Sequence, residues 1–408
     1  MKTLIVSPCT LPVPAVHGGA VQQLLDSIIL ENEKQGKLDL HIAGLWDDDA
    51  VKASKEISNT NFIYWREPLV CKIIDGAYEW FYTKVLRKNH RTLKLHARKL
   101  FVIHQIIKEL LKHDYDRVVF ENMGYQLKAL SNKNVEEKYK GRLWFHIHND
   151  VPNNIDRNNL KKVKLVMISR YLGKKVVAMC GKESPEMHVV KNGISVKRFS
   201  KVPDEVTKKN LKTRFGVSET DKVILFVGRI IPEKGVEQVI DSFLQIMGSN
   251  QNTVLLIVGS LNFDLERTSE FEKTIHQKSS KSNGRIKFTG FIPQSDICAL
   301  YHIADVAVLP SMWEEPAGLT MLEAAAAGVP VITTNAGGIP EYLRNDLGIF
   351  LDRDDELVNN ISNNIVAILN NSDKWKKMSE EAQKYVSATF SEEKFYESFA
   401  DTIQGEKI

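Results

Sequence analysis

Short apolar runs alternate with amphipathic stretches along the whole chain. In the first half, the apolar runs that predict strands are Leu4–Val6, Leu38–Ala43, Val118–Glu121, Leu143–His148 and Val163–Ile168. The second half repeats the pattern at Val223–Val227, Val254–Val258, Ile286–Thr289, Val306–Leu309 and Val329–Thr333. Continuous apolar runs separated by helical periodicity are typical of parallel strands that helices cover on both faces. We therefore predict an α/β chain with two doubly wound sheets.

The intervening stretches carry the spacing of amphipathic helices. These stretches are Ala20–Lys34, Tyr171–Met179, Gly235–Met247, Leu319–Ala327 and Leu357–Leu369. Residues 73–113 predict one or two further long helices. The polar, lysine-rich stretch Ser195–Asp221 predicts the linker between the two halves. We therefore expect an N-terminal domain over residues 1–195 and a C-terminal domain over residues 196–389.

Composition narrows the class of protein. A chain of 408 residues that is 43% hydrophobic and 26% charged is long enough for two cores and has ordinary globular composition. The net charge of +4 is too small to indicate nucleic-acid binding. The four cysteines are scattered without a Cys-x-x-Cys pair, which favours reduced thiols in a cytoplasm over disulfides or a zinc site. No apolar run approaches the ~18 residues of a membrane span.

The most informative segment surrounds the predicted helix near residue 320. Glu315 and Glu323 stand eight positions apart, and a Pro316-Ala317-Gly318 turn follows the first of them. The first N–H groups of a helix lack intrahelical partners and lie at the positive end of its dipole. They suit a diphosphate, while a carboxylate further along the helix suits sugar hydroxyls. The N–H groups expected to face the anion are those of Gly318, Leu319 and Thr320. This combination indicates a nucleotide-sugar enzyme.

Four segments, in order, resemble motifs of the retaining glycosyltransferases of family 4, which have the GT-B fold. Gly18-Gly19 is similar to the N-terminal glycine loop, and Val190–Ile194 to the Asn-Gly-Val linker. Phe226–Gly235 resembles the Gly-Arg…Glu-Lys-Gly motif, and Glu315 to Glu323 the Glu-x7-Glu signature. One such motif is a weak signal, but four in register over nearly the whole chain are a strong one. The resemblance implies two Rossmann-like domains facing a central cleft, the first binding the acceptor and the second the nucleotide sugar. It also implies that residues 390–408 cross back onto the first domain.

The resemblance assigns roles to the acidic pair and to two cations. Glu315 would hold hydroxyls of the transferred sugar, and Glu323 the ribose hydroxyls. Arg229 and Lys234 follow a predicted strand, at the end where open α/β sheets bind ligands. Two cations there would stabilise the charge that grows on a departing nucleotide diphosphate. The full expected donor-binding set is Gly18, Gly19, Gly228, Arg229, Lys234, Phe291, Ile292, Glu315, Ala317, Gly318, Leu319, Thr320 and Glu323.

Base recognition rests on a single loop. Residues 289–293 follow a predicted strand and resemble the loop that meets the nucleobase, with Phe291 or Ile292 contributing backbone groups. A turn that serves only packing stays open as the alternative.

The expected catalytic set is Arg229, Lys234, Glu315 and His148. Alternation places His146 and His148 on one face of a strand, and His148 is nearer the carboxyl end and matches the family's cleft histidine. A core histidine satisfied by its neighbours is the alternative. In the resembled mechanism the leaving phosphate itself takes the acceptor's proton, so no dedicated base is required.

We expect neither a metal nor another cofactor. Residues 47–49 and 352–354 both match an Asp-x-Asp metal motif formally. Each lies in a predicted loop, and the second precedes a helix that acidic residues would cap.

A basic stretch suggests a second kind of partner. Residues 72–112 carry ten Lys or Arg against three acidic residues, a net charge of +7, and several aromatic residues lie near their start. Such a segment suits an anionic cytoplasmic leaflet and a lipid-linked acceptor. A solvated basic helix, or one that binds an acidic soluble acceptor, stays open.

The expected function is transfer of a hexose from a nucleotide-diphosphate sugar, with UDP the favoured nucleotide, to a hydroxyl of a glycan or lipid-linked glycan. The resemblance points to bacterial surface polysaccharide, made in the cytoplasm or at the inner face of the membrane. Pro316-Ala317 stands where many relatives have Gly-Phe, which leaves the donor sugar open. Two alternatives are a nucleotide-sugar epimerase of similar shape and a non-catalytic partner or chaperone of another glycosyltransferase. No nucleic-acid partner is expected.

Overall fold

The computed structural model describes residues 1–81, 96–152, 155–181, 184–260 and 270–405. The chain divides into two compact units. The N-terminal unit comprises Met1–Lys191 with Glu392–Ile408, and the C-terminal unit comprises Asn192–Ser391. Each unit contains a parallel sheet with helices packed on it, which confirms the predicted pair of doubly wound α/β sheets.

Seven parallel strands form the sheet of the N-terminal unit, in the order β3-β2-β1-β4-β5-β6-β7. The strands are β1 (Lys2–Val6), β2 (Asp39–Leu45), β3 (Thr60–Trp65), β4 (Arg117–Glu121), β5 (Leu143–Ile147), β6 (Lys164–Met167) and β7 (Met187–Val189). The helices that follow along the chain are α1 (Ala20–Gln35), α2 (Asp48–Ser54), α3 (Leu69–Trp80), α4 (His96–Lys112), α5 (Lys133–Lys138), α6 (Arg157–Leu160) and α7 (Arg170–Cys180), with a 3-10 helix at Gly124–Ser131. The strand order reverses between β1 and β4, and such a reversal opens a crevice at the carboxyl ends of the strands.

The C-terminal unit repeats this arrangement with six parallel strands in the order β10-β9-β8-β11-β12-β13. The strands are β8 (Lys222–Val227), β9 (Thr253–Val258), β10 (Ile286–Phe288), β11 (Val306–Leu309), β12 (Val331–Thr334) and β13 (Ile349–Leu351). The helices are α8 (Val196–Phe199), α9 (Glu205–Arg214), α10 (Val236–Ile246), α11 (Glu270–Ser279), α12 (Gln294–Tyr301), α13 (Leu319–Ala326), α14 (Ile339–Tyr342), α15 (Leu357–Asn370) and α16 (Ser372–Thr389), with 3-10 helices at Pro232–Lys234 and Ser280–Ser282. Here the strand order reverses between β8 and β11.

The last helix, α17 (Glu392–Gln404), belongs to the N-terminal unit. Its apolar face joins the core that α1 contributes to, and Phe399 is fully buried there. Polar ties flank this contact, because Lys37 Nζ lies 2.9 Å from Asp401 Oδ1 and Ser27 Oγ donates to Glu392 Oε1 over 2.9 Å. Truncating a buried Phe to Ala costs about 3–5 kcal/mol, so this helix is an integral part of the unit.

The stretch Ser195–Asp221, which we predicted as a linker, contains two helices of the C-terminal unit. Asp204 caps α9 by accepting a hydrogen bond from the N–H of Thr207 over 2.7 Å. α9 buries no residue, so the apolar stripe that reveals most surface helices is missing from its sequence.

The predicted long helices within residues 73–113 appear as α3 and α4, while residues 82–95 lie outside the described part of the chain. Asp75 of α3 caps α4, because its carboxylate accepts from the N–H groups of Ala97 and Arg98 over 2.8 and 3.1 Å. A carboxylate at this position also complements the helix dipole.

Candidate active site

Two loops meet where the strand order reverses in the C-terminal sheet. β8 pairs directly with β11, so the loops that follow them leave the same edge of the sheet. Gly235 has φ +70°, and a Cβ on it would lie 1.9 Å from the carbonyl oxygen of Pro310. Only glycine fits this close approach. Met312 N–H also donates to the carbonyl of Glu233 over 2.9 Å, so the two loops are joined through their backbones.

This junction brings together two residues that the sequence predicted for the site. Lys234 Nζ lies 2.9 Å from each carboxylate oxygen of Glu315. The carboxylate also accepts from Trp313 Nε1 over 2.8 Å and from Ser311 Oγ over 3.0 Å. An ammonium group has three N–H donors, so this pairing leaves one for a further anion. The sequence pattern predicted Lys234 and Glu315 for the site but did not point to Ser311 and Trp313, whose hydrogen bonds orient the carboxylate.

The backbone of Glu315 is held from the other side by the turn before α14. Gly338 N–H donates to the carbonyl of Glu315 over 2.7 Å. Gly337 has φ +57°, and a Cβ there would lie 2.3 Å from the same carbonyl oxygen. Glu314 accepts from Gly337 N–H over 2.8 Å and pairs with Arg353. The segment that presents Glu315 is therefore fixed along both edges.

The second acidic residue of the predicted pair is buried. Glu323 lies on α13, and its Oε2 is 3.0 Å from the hydroxyl of Tyr301, which is also 3.2 Å from the carbonyl of Thr320. Burial and the neighbouring carboxylate raise the pKa of Tyr301 well above its usual value, so the phenol stays protonated. A surface role for Glu323 is thereby excluded, since only 7% of the residue is exposed. Tyr301 belongs to no motif, and no sequence signal points to it.

The start of α13 presents unpaired donors. Among the described residues, no hydrogen-bond partner is present for the N–H groups of Gly318, Leu319 and Thr320. Gly318 has φ −136°, which other residues also adopt, and a Cβ on it would meet only side chains, Ile339 and Met321, at 3.3 Å. The expected helix start with unpaired N–H donors is therefore present, but Gly318 owes its place to side-chain packing rather than to backbone strain.

One small pocket gathers part of the predicted donor-binding set. Its lining includes Lys234, Glu315, Gly318 and Thr320. Arg229 is exposed, and no acidic partner for it lies within the described ranges. The predicted donor-binding residues that do not line this pocket are Gly18, Gly19, Gly228, Arg229, Phe291, Ile292, Ala317, Leu319 and Glu323.

The predicted base-binding loop follows β10. Phe291 is exposed and Ile292 is buried. The carbonyl of Gly290 accepts from the N–H of Gly259 over 3.1 Å, which ties this loop to the end of β9.

In the N-terminal unit, the predicted histidine forms a buried cluster with its neighbours. Glu121, at the end of β4, is 3.1 Å from Nδ1 of His146 and 2.9 Å from Nε2 of His148. Burial alone would raise the pKa of Glu121, but the two imidazoles lower it to about 2. Burial and the charge of His146 lower the pKa of His148 to about 4, against the opposing effect of Glu121. At neutral pH the cluster holds an ionised carboxylate beside a neutral His148.

These hydrogen bonds set the tautomers. An ionised carboxylate only accepts, so His148 carries its proton on Nε2 and His146 on Nδ1. The opposite nitrogens, His148 Nδ1 and His146 Nε2, are buried and have no partner among the described residues. The three residues also have the chemistry of a metal-ligand set, with candidate ligand atoms within 4.8 Å of one another. The hydrogen bonds between Glu121 and the two imidazoles account for the close approach of these atoms. Glu121 was not predicted, although it lies directly opposite His146 in the strand register.

The glycine pair lies between β1 and α1, and the first acidic triplet follows β2. Gly18 and Gly19 have φ values of +76° and +99° and lead into α1. Asp47 caps α2 by accepting from the N–H groups of Asp49 and Ala50 over 3.1 and 3.0 Å, and it lies 3.1 Å from His17 Nε2. His17, Asp47 and Asp49 form a second, partly exposed group with ligand-type atoms.

The second Asp-x-Asp match has a similar explanation. Asp354 accepts from the N–H of Glu356 over 3.0 Å just before α15, and Arg353 pairs with Glu314. Both acidic segments thus include a residue that satisfies backbone donors near a helix start.

Comparison with known proteins identifies the class. Residues 207–385 match the family model of glycosyl transferases group 1. The Anabaena protein HepE, whose structure was solved in complex with UDP and glucose, superposes with a TM-score of 0.71 at 18% identity, over 99% of each chain. The fold is therefore GT-B.

Relatives by sequence agree. A Bacillus subtilis protein, YtcC, provisionally named as a glycosyltransferase, is 26% identical over 398 residues, which cover 96% of this chain and 89% of that protein. The lipopolysaccharide 1,2-N-acetylglucosaminetransferase of Salmonella typhimurium is 25% identical over 209 residues, covering 51% and 52%. Together with the family match over the C-terminal unit, these findings make the chain a GT-B glycosyltransferase.

Proposed function

We propose that this glycosyltransferase is a retaining hexosyltransferase of family 4 that uses a UDP-sugar. Its acceptor is a hydroxyl of a glycan or lipid-linked glycan in bacterial surface-polysaccharide synthesis. The observation that carries the proposal is the Lys234–Glu315 pair beside the unpaired N–H groups at the start of α13. The UDP in the HepE structure supports the nucleotide, and the lipopolysaccharide enzyme supports the class of acceptor.

The C-terminal unit binds the donor in this mechanism. The N–H groups at the start of α13 and the free donor of Lys234 hold the diphosphate, and Arg229 adds a second positive charge. Glu315 accepts hydrogen bonds from hydroxyls of the transferred sugar. Glu323, oriented by Tyr301, accepts from the ribose. As the bond to the sugar breaks, charge grows on the leaving diphosphate, and the fixed cations stabilise it more than in the ground state.

The acceptor step needs no added base. The leaving phosphate takes the proton of the attacking hydroxyl on the same face of the sugar, which retains the anomeric configuration. His148 contributes as a neutral hydrogen-bond acceptor through Nδ1, the nitrogen that Glu121 leaves unprotonated. No metal takes part.

A membrane contact belongs to the same proposal. Helix α3 exposes Leu69, Val70, Ile73 and Ile74, and α4 exposes Leu100. Within the described ranges, no helix combines the length and the apolar run that crossing a bilayer requires. An amphipathic helix with flanking cations suits in-plane contact with anionic lipid, which would deliver a lipid-linked acceptor. Vesicle sedimentation tests this step, and binding that ignores anionic lipid content would remove it.

The decisive experiment is an assay of nucleotide release from a panel of UDP-, GDP- and ADP-sugars, with and without extracted lipid acceptor and with EDTA in parallel. We expect acceptor-dependent UDP release that EDTA leaves unchanged, and an NMR spectrum of the product with the donor's anomeric configuration. An epimerase would convert the donor without releasing nucleotide. A non-catalytic partner would turn over no sugar, and inverted product would contradict the mechanism.

A further inference from the structure

A cavity of about 450 Å³ lies in the N-terminal unit. Its walls come from the segments that follow β1, β2 and β3, together with Lys72 of α3 and Arg98 of α4. The carboxyl ends of parallel strands are where open α/β sheets bind ligands, and this volume lies in the range of small-molecule sites. The position and size of the cavity are therefore those of a ligand site.

The acidic residues that line the cavity are already engaged by protein donors. Arg98 Nε lies 3.0 Å from both oxygens of Glu67, and Trp46 Nε1 donates to Asp48 over 3.0 Å. Asp47 accepts from the first turn of α2. These carboxylates are thus oriented towards the protein.

Two cations of the lining are not engaged in this way. Neither Arg66 nor Lys72 has an acidic partner among the residues that the structure describes. The Arg66 guanidinium stacks on the indole of Trp46, 3.9 Å from the ring centre. Tyr64 packs edge-on against the same indole at 6.1 Å, and Asp48 holds its N–H.

This stacking prepares Arg66 to bind an anion that offers two neighbouring oxygens. A guanidinium stacked on a ring keeps its in-plane N–H donors free, and these match a carboxylate or phosphate two at a time. The Cys9 thiol in the same wall adds no charge, because burial raises its pKa to about 12. The formal charges of the lining balance, with three cations and three carboxylates, and Arg66 and Lys72 are the cations that no carboxylate of the described residues occupies.

We propose that this cavity binds an anionic group, a phosphate or a carboxylate, carried by the acceptor glycan. Arg66 makes the bidentate contact and Lys72 supplies the second charge. The inference rests on the proposed function only in naming the acceptor as the carrier of the anion. It narrows the acceptor to an acidic glycan or one with a phosphate close to the reacting sugar.

Calorimetric titration of wild type, Arg66→Gln, Lys72→Gln and Lys55→Gln tests the site. Lys55 is an exposed lysine of the same unit that does not line the cavity, so it is the matched control. The probes are inorganic phosphate, a hexose 1-phosphate, a hexuronate and the neutral hexose. We expect the charged sugars to bind wild type, at least tenfold weaker binding to Arg66→Gln, a smaller loss in Lys72→Gln and none in Lys55→Gln. The tighter of hexose phosphate and hexuronate identifies the anion.

Three results would overturn the inference. They are no anion binding at millimolar concentration, equal affinity for the neutral hexose, and unchanged affinity in Arg66→Gln. Arg66→Lys guards against a folding defect, because it keeps the charge and loses the bidentate contact, and we expect it to bind between wild type and Arg66→Gln. UDP titrations on the same proteins separate the two proposals. If anion binding depends on Arg66 and UDP does not bind, the anion site stands and the proposed use of a UDP-sugar is wrong. If UDP binds and anion binding does not depend on Arg66, the proposed donor stands and the anion site is wrong.

Discussion

Two carboxylates at the carboxyl ends of strands serve opposite purposes in the two units. Glu121 is sealed in the N-terminal unit with 1% of its side chain exposed, and its partners are two imidazoles. Glu315 in the C-terminal unit keeps 16% of its side chain exposed, and its partners are Lys234, Trp313 and Ser311. Both acids are hydrogen-bonded through both carboxylate oxygens, but only Glu315 and its partner Lys234 are partly exposed to solvent.

The difference in burial suits one carboxylate to holding its neighbours in place and the other to exchanging a hydrogen bond with a ligand. A buried ionised group must keep its partners, because losing one leaves an uncompensated charge in a medium of low dielectric. Glu121 is therefore suited to holding imidazoles in one tautomer. A half-buried ion pair can give up one hydrogen bond to a ligand at little cost, since water and the remaining donors compensate. The Lys234–Glu315 pair is thus suited to accepting a charged substrate.

The largest expected effect follows from removing one of the two proposed donor-site cations, either Lys234 of the exchangeable pair or Arg229. Lys234→Ala and Arg229→Ala should each lower kcat on the order of 10²–10³-fold, roughly 3–4 kcal/mol, as expected for the loss of one fixed charge at a leaving group. Steady-state nucleotide release measures this. Lys281→Ala, at an exposed lysine in the same unit, is the control and should leave the rate unchanged. Near-normal rates in both site variants would refute the role of the cations.

Glu121→Gln tests the sealed cluster. A carboxamide cannot accept from both imidazoles as the carboxylate does, so one nitrogen loses its partner and His148 is free to change tautomer. A buried unsatisfied group costs about 1–3 kcal/mol, so transfer should fall roughly 5- to 150-fold. UDP affinity should stay at the wild-type value.

Imidazole nitrogen NMR of the Glu121→Gln variant reports the tautomers directly. Glu137→Gln, at an exposed glutamate of α5, is the matched control. If the transfer rate falls while the His148 proton stays on Nε2, Glu121 does not act by fixing this tautomer and the loss of rate has another origin.

Tyr301→Phe tests a third carboxylate, Glu323, and we expect a smaller effect than in the preceding variants. It removes the phenol that lies 3.0 Å from Glu323, so the buried carboxylate loses a donor. We expect UDP to bind about tenfold more weakly, for a loss of roughly 1–1.5 kcal/mol, with a lesser change in kcat. Calorimetry with UDP checks this. Tyr385→Phe, whose ring lies elsewhere in the same unit against Phe390, should bind like wild type. Wild-type affinity in Tyr301→Phe would exclude the orienting role.

The smallest effect is a pH dependence of local stability in the N-terminal unit. Burial lowers the pKa of His148 from 6.5 to about 4, so the unfolded chain binds the extra proton at a higher pH than the folded one. The stability from a neutral His148 is therefore complete above pH 6.5 and is lost as the pH falls towards 4. Hydrogen exchange of the β5 amides, corrected for intrinsic rates, should show this loss. His148→Asn should flatten the profile, and an equally steep one would contradict the assignment.

Features encoded within one short segment of the sequence could be predicted, whereas contacts between distant segments could not. Lys234 and Glu315 each follow a strand within a recognisable motif, so their place at the sheet edge was predictable. Glu121 and Tyr301 contact their partners across neighbouring elements, over 22 or more positions of sequence, and no local pattern encodes such contacts. The same limit explains α9, which buries nothing and therefore resembles a linker.

The missing side chain at Gly235 has a consequence for exchanging parts between related enzymes. Because a Cβ at position 235 would clash with the Pro310 carbonyl, the loop that carries Lys234 and the loop that carries Glu315 fit together only with glycine there. A chimera that receives only one of the two loops from a related enzyme should have a poor fit where the loops meet. Transferring both loops together would preserve their fit. An attempt to change sugar preference by exchanging loops would therefore have to replace the two loops as a pair.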